Sequence, residues 1–171
     1  MTQPAQKPHR SKQDYATPEN FIAAVKARLG VEHFSFDFAA DASNAKAAGF
    51  WTEAVDSLSR TPLEWASKID GGWGWLNPPF TKIGPWARHC SITKKCGGSI
   101  AFLVPAGIGA NWYRDHVHGQ ALVLALNGRL AFMPDKPTWL YPKDCILCLY
   151  SPFVTAGFEV WTWGKAGVSH V

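Results

Sequence analysis

A chain of 171 residues, 47% apolar and 18% charged, is long enough for one well-buried core and too short for two ordinary domains. Its formal charge of +4 permits a nucleic-acid partner without demanding one. No apolar run reaches membrane-spanning length and the amino terminus lacks a signal-peptide hydrophobic stretch, so a cytoplasmic protein is expected.

Residues 1–14 carry Lys7, His9, Arg10 and Lys12 among polar residues and prolines, without apolar periodicity. They read as a disordered basic tail, with a nucleic-acid-contacting arm as the alternative, and residues 15–171 read as a single domain. Phe21, Ile22, Val25 and Leu29 then recur at helical spacing. Thr17 as cap, Pro18 in the first turn and Gly30 as terminator predict a helix there. The run EHFSFDFAAD is strand-like and turns polar abruptly at Asp37 and Asp41. A helical or irregular stretch through AKAAGFW leads to TEAVDSL, and Trp65 begins a stretch ending in GGWGWLNPPF. Within it Trp73, Trp75 and Leu76 read as a strand entering a proline-fixed turn. A helix is expected from Pro85 to about Lys94, and SIAFLVPA is a buried strand. ALVLALNGRLAF, DCILCLY and FEVWTWG supply three further strands. The alternation predicts an α/β domain with a mostly parallel sheet flanked by helices, and antiparallel strands closing one edge.

Cys145 and Cys148 have C-x-x-C spacing but lie in an apolar run, where strand alternation sends them to opposite faces. Cys90 and Cys96 match no zinc spacing, so no metal site is expected.

Asn77-Pro78-Pro79-Phe80 is the sharpest feature. An exocyclic amine on an aromatic ring is a poor nucleophile, because its lone pair is delocalised into the ring. Two acceptors bonded to the amine hydrogens pull the nitrogen toward tetrahedral geometry. The Asn77 side-chain oxygen and the following backbone carbonyl provide such a pair, and two prolines fix them in advance. Phe80 is suited to stacking on a base. Read without its context, the same tetrapeptide is a rigid turn after a strand. Asp37, Asp41 and Asn44 in FDFAADASNAK suit ribose hydroxyls or an ammonium, or simply a solvated loop. Asp56 is placed to accept from a purine amine, or to cap a helix.

Taken in order, TPENF, FDFAADASNAK, FWTEAVDSL, Trp65, WLNPPF, IAFLVPA and GRLAF resemble the phage and prophage DNA adenine methyltransferases, the Dam-type phage enzymes. The resemblance spans about Tyr15 to Phe132. It implies a Rossmann-like, S-adenosylmethionine-dependent methyltransferase fold acting on double-stranded DNA in a bacterial host cytoplasm. By that similarity Asn77, Pro78, Pro79 and Phe80 hold the target adenine. Asp37, Ala39 and Asp41 form the cofactor loop, Asp56 meets the cofactor's adenine, and Thr17 and Pro18 pack over its methionine end. One departure stands out: AADAS replaces the glycine-rich loop that many methyltransferases carry after the first strand.

A base inside a duplex must leave the stack to be methylated. Asn111, Trp112 and Arg114 are candidates for contacting DNA, with Lys82 on the catalytic loop and Arg129 at a turn. His116 and His118 read as surface residues. So short a chain leaves little room for a separate recognition domain, and relaxed sequence specificity is expected. The alternatives are methylation of cytosine N4, an RNA base or a protein glutamine, all with similar nitrogen chemistry, or a non-catalytic nucleic-acid-binding relative.

Overall fold

The computed structural model describes residues 16–133 and 138–164; the predicted basic tail lies outside them. Two apolar runs form the centre of the sheet. β3 (Ile100–Pro105) pairs antiparallel with β5 (Cys145–Tyr150) along their whole lengths, from Ile100 opposite Tyr150 to Pro105 opposite Cys145. All six residues of β5 are buried, as a strand covered on both faces requires. On one side of this pair lie β2 (Gly74–Leu76) and then β1 (Phe36–Asp37), each parallel to its neighbour. On the other side lie β4 (Leu122–Leu126), antiparallel to β5, and β6 (Gly157–Trp161), parallel to β4. The six-stranded order is β1-β2-β3-β5-β4-β6.

The mixed α/β class and the mostly parallel sheet agree with the sequence reading, but the position of the antiparallel strand does not. β5 is the one reversed strand, and it lies inside the sheet rather than at an edge. Burial gives the reason. CILCLY is apolar on both faces and needs neighbours on both sides. GFEVW is largely exposed, so β6 takes the edge.

Alternate residues of the central strands divide the core in two. Phe102, Val104, Ile146 and Cys148 face α2 (Pro62–Ile69), α3 (Ile83–Lys95) and α4 (Asn111–His116). Ala101, Leu103, Cys145 and Leu147 face α1 (Glu19–Leu29) through Phe21, Ile22 and Val25. Cys145 and Cys148 therefore stand on opposite faces, as alternation predicts. Gly30 ends α1 in the left-handed conformation at φ 68°. The start of α1 differs from expectation. Pro18 occupies the cap position, no side chain caps the helix, and the Thr17 hydroxyl is engaged elsewhere. Among the described residues no helix is long and apolar enough to cross a membrane.

α2 is absent from the sequence reading, although its signal is present. Thr61 Oγ1 accepts from the Glu64 N–H at 3.2 Å, and Glu64 Oε2 accepts from the Thr61 N–H at 2.7 Å. This reciprocal capping box, with Pro62 at the first helical position, starts the helix. α2 sets Trp65 flat against Phe38, centroids 4.1 Å apart and planes 3° from parallel.

That stack depends on a missing side chain. A Cβ at Gly74 would stand 2.5 Å from Phe38 Cε2 and 3.2 Å from Ile69 Cγ1. The Phe38 ring cannot yield, because it is fully buried against Trp65. Gly74→Ala is therefore expected to cost about 1–3 kcal/mol by overpacking. Urea unfolding checks this, and an unchanged midpoint would contradict it.

Candidate active site

Five of the six strands point the same way, so β1, β2, β3 and β4 all release their chains at one edge of the sheet. The loop after Asp37, the Asn77–Phe80 tetrapeptide after Leu76, the segment leading to α4, and Arg129 after β4 all follow those ends. In open α/β sheets this edge is where ligands bind.

Asp37 organises the first loop from below. It is 2% exposed. Its Oδ1 accepts from the Ala39 N–H at 3.2 Å and its Oδ2 from the Lys46 N–H at 2.9 Å. Burial pushes the carboxyl up from 3.8 to about 6, although these two bonds and the Lys46 charge work against the rise. Both oxygens are thus engaged within the loop. Asn44 Oδ1 accepts from the Asp41 N–H at 2.8 Å, closing the turn that Asp41 begins. No residue from 38 to 46 has positive φ. The loop therefore needs none of glycine's freedom, which accounts for alanines in place of a glycine-rich sequence.

Asp56 lies between two short 3₁₀ turns, Glu53–Val55 and Ser57–Ser59, and takes the left-handed conformation at φ 51°. Aspartate tolerates that region better than most residues. The next residue anchors it: the buried Ser57 donates its hydroxyl hydrogen to the Phe38 carbonyl, and its own carbonyl accepts from Trp65 Nε1 at 3.0 Å. The exposed Asp56 carboxylate is thereby held at a cavity of about 250 Å³. Phe38, Ala39, Pro79, Lys82 and Trp86 help to line it. Four residues singled out from the sequence (Ala39, Asp56, Pro79 and Lys82) thus share one cavity.

In the tetrapeptide Pro78 is buried, and Asn77 is half-buried with its Nδ2 donating to Thr17 Oγ1 at 2.9 Å. The Phe80 ring has aromatic neighbours already, with centroids 6.0 Å from Phe132 and 5.8 Å from Tyr141. A second cavity of about 570 Å³ is lined by Thr17, Pro18, Asn44, Lys46 and Arg129, among others.

The remaining candidates are dispersed. Asn111 and Arg114 are exposed on α4, with Arg114 paired to Asp115, and neither lines a cavity described above. Arg129 pairs with Asp144 at 3.3 Å. Trp112 is half-buried, its ring against Gly107 and its Cβ beside Gly84. Sequence reasoning missed Lys46, Ser57, Trp86 and Tyr141. Lys46 Nζ pairs with Glu19 at the second cavity, and its only sequence signal is its place at the end of FDFAADASNAK. Among the described residues no three His, Cys, Asp or Glu side chains gather as a metal site.

The family model described as DNA N-6-adenine-methyltransferase (Dam) matches residues 5–153 of the chain. No curated protein matches it.

The Asp37 carboxyl links this loop to pH. Its folded value lies above the ordinary 3.8, so its contribution to stability is full below that pH and is lost as pH rises through about 6. Protonation nevertheless leaves one oxygen a poorer acceptor, so the loop loosens locally on acidification. Amide exchange protection at Ala39 and Lys46, corrected for intrinsic rates, is expected to fall roughly fivefold between pH 7.5 and 5. Asp37→Asn should already show the lower protection at pH 7.5. Protection independent of pH in the wild type would contradict this role.

Proposed function

The chain belongs to the DNA N-6-adenine-methyltransferase family, and on that premise we propose that its sheet edge transfers methyl from S-adenosylmethionine to adenine N6 in double-stranded DNA. The activity itself, methylation of adenine in DNA, follows from family membership. A Rossmann-like methyltransferase fold, the donor and the residues that act are the parts we infer. A phage or prophage source and action in a bacterial cytoplasm belong to the same proposal.

The Asp56 cavity fits the purine end of the donor. It offers the Asp56 carboxylate, with Glu53 also on its lining, to accept from an exocyclic amine, between walls of Phe38, Ala39, Pro79 and Trp86 that suit a flat ring. The loop of Ala39 and Asp41 would carry the ribose and sulfonium region, with Asp37 acting through its hold on that loop. Thr17 and Pro18 would meet the amino-acid end, beside the second cavity. Bound there, S-adenosylmethionine supplies a methyl group on a positively charged sulfur, an electrophile that needs no further activation.

The chain's own residues then have one principal task. The Asn77 side-chain oxygen and the Pro78 carbonyl accept the two hydrogens of the adenine amine and localise its lone pair. Pro78 and Pro79 hold those acceptors rigidly, so no reorganisation is needed as the nitrogen–carbon bond forms and the carbon–sulfur bond breaks. The surplus proton on the amine is lost to solvent, and no residue with a tuned pKa is required. Phe80, backed by Phe132 and Tyr141, is set to support the extruded base. Lys82, Asn111, Arg114 and Arg129 are the groups we assign to DNA. Trp112, half-buried on α4 with its ring against Gly107, is assigned to DNA with them.

The meeting of Asp56 and the proline-fixed loop at one cavity carries this reading. Transfer of tritiated methyl from S-adenosylmethionine to unmethylated duplex DNA, followed by nucleoside analysis, tests it. Label is expected in N6-methyladenosine, with Asn77→Ala slower by about a hundredfold or more. Asp56→Ala is expected to raise the KM for the donor by roughly tenfold or more, the loss of one hydrogen bond to a charged group. Label in methylcytosine would overturn the adenine assignment, and an Asn77→Ala enzyme as fast as wild type would overturn the catalytic role.

A further inference from the structure

The loop after β1 borders both cavities at the rim. Ala39 and Ala40 line the Asp56 cavity, and Ser43, Asn44 and Lys46 line the larger one of about 570 Å³. The tetrapeptide links the two as well, since Pro79 lines the first and Asn77 is bonded to Thr17 on the second. A donor with its purine beside Asp56 and its sulfur near Asn77 therefore extends its other end into the larger cavity. That end is an amino acid, with a carboxylate and an ammonium on one carbon.

The larger cavity carries a matching pair of charges. Lys46 Nζ donates to Glu19 Oε1, and both residues line the cavity. The two are unequally placed, the Lys46 side chain 9% exposed and that of Glu19 79%. Lys46 is held from behind, because its N–H donates to the buried Asp37 carboxylate at 2.9 Å. Glu19 opens α1, whose Phe21, Ile22 and Val25 are buried. An ammonium withdrawn from water gives up hydration that one exposed carboxylate replaces only in part. It has three N–H groups to place, and among the described residues Glu19 is the one hydrogen-bond partner of the Lys46 side chain. Arg129, the other cation on the lining, already pairs with Asp144.

We propose that Glu19 and Lys46 form the subsite for the zwitterionic amino-acid end of the methyl donor, Lys46 holding its carboxylate and Glu19 its ammonium. The four charges then alternate in sign, so each ion has opposite neighbours. The inference rests on the donor site proposed above and adds two residues to it.

Calorimetric titration of the full chain with three ligands tests it. S-adenosylhomocysteine keeps the whole amino acid, S-adenosyl-3-thiopropylamine keeps the ammonium and lacks the carboxylate, and 5′-methylthioadenosine lacks both. Lys46→Gln is expected to raise the Kd of S-adenosylhomocysteine about tenfold or more, and to leave the other two within about twofold. Glu19→Gln is expected to weaken S-adenosylhomocysteine and the thiopropylamine roughly threefold or more, with 5′-methylthioadenosine again within about twofold. Retained binding of 5′-methylthioadenosine shows that each variant is folded.

Equal weakening of all three ligands by Lys46→Gln would overturn the proposal in favour of mere support for the loop. Unchanged S-adenosylhomocysteine binding would also overturn it, and weaker duplex binding in the same variant would make Lys46 a phosphate contact instead. A loss confined to Lys46→Gln would overturn the part given to Glu19. A wild-type chain that binds S-adenosylhomocysteine and 5′-methylthioadenosine equally well would overturn this inference alone. One that binds neither would remove its premise as well.

Discussion

The common direction of β1, β2, β3 and β4 is the constraint from which the site follows. A parallel strand must hand its chain to a connection at its carboxyl end, so several parallel strands place several connections along one rim. Here those connections carry the Asp37 loop, the Asn77–Phe80 tetrapeptide, α4 and Arg129. The reversed β5 makes this possible at low cost. It fills the space between β3 and β4 with a strand buried on both faces, and Tyr141, a few residues before it, lies close to Phe80.

Rigidity at that rim is built from small and local means. Two prolines fix the tetrapeptide backbone. Ser57, bonded to both Phe38 and Trp65, fixes the turn that presents Asp56. Asp37 fixes the first loop at a real cost, since burial opposes its charge and raises its carboxyl to about 6. The buried carboxylate is stabilised there by the two backbone N–H groups that donate to it. The methylation chemistry makes the same demand. When the electrophile is already activated, what the protein contributes is the placement of acceptors around one nitrogen.

Much of this was legible in the chain, and the legible parts share a physical character. The tetrapeptide, the α1 periodicity and the apolar runs of β3 and β5 are local patterns with local causes. The capping box at Thr61 and Glu64 is equally local, yet it was overshadowed by the aromatic run after it, so α2 was missed. The central place of β5 depends on which neighbours bury its two faces, and no window of sequence holds that information. The Thr17–Asn77 bond is less legible still. Thr17 carries every mark of a helix cap, and only the packing of α1 against the sheet turns its hydroxyl to the Asn77–Phe80 loop. The glycine-free loop looked anomalous only while its backbone angles were unknown.

One sheet edge, on this reading, holds the methyl donor and the target base together around Asn77. A crystal structure with the donor analogue sinefungin and a short adenine-containing duplex tests that most directly. The purine of sinefungin is expected in the cavity beside Asp56, and an extruded adenine with its amine within hydrogen-bond distance of the Asn77 side-chain oxygen. Sinefungin on another face of the sheet, or an extruded base far from Asn77, would contradict it.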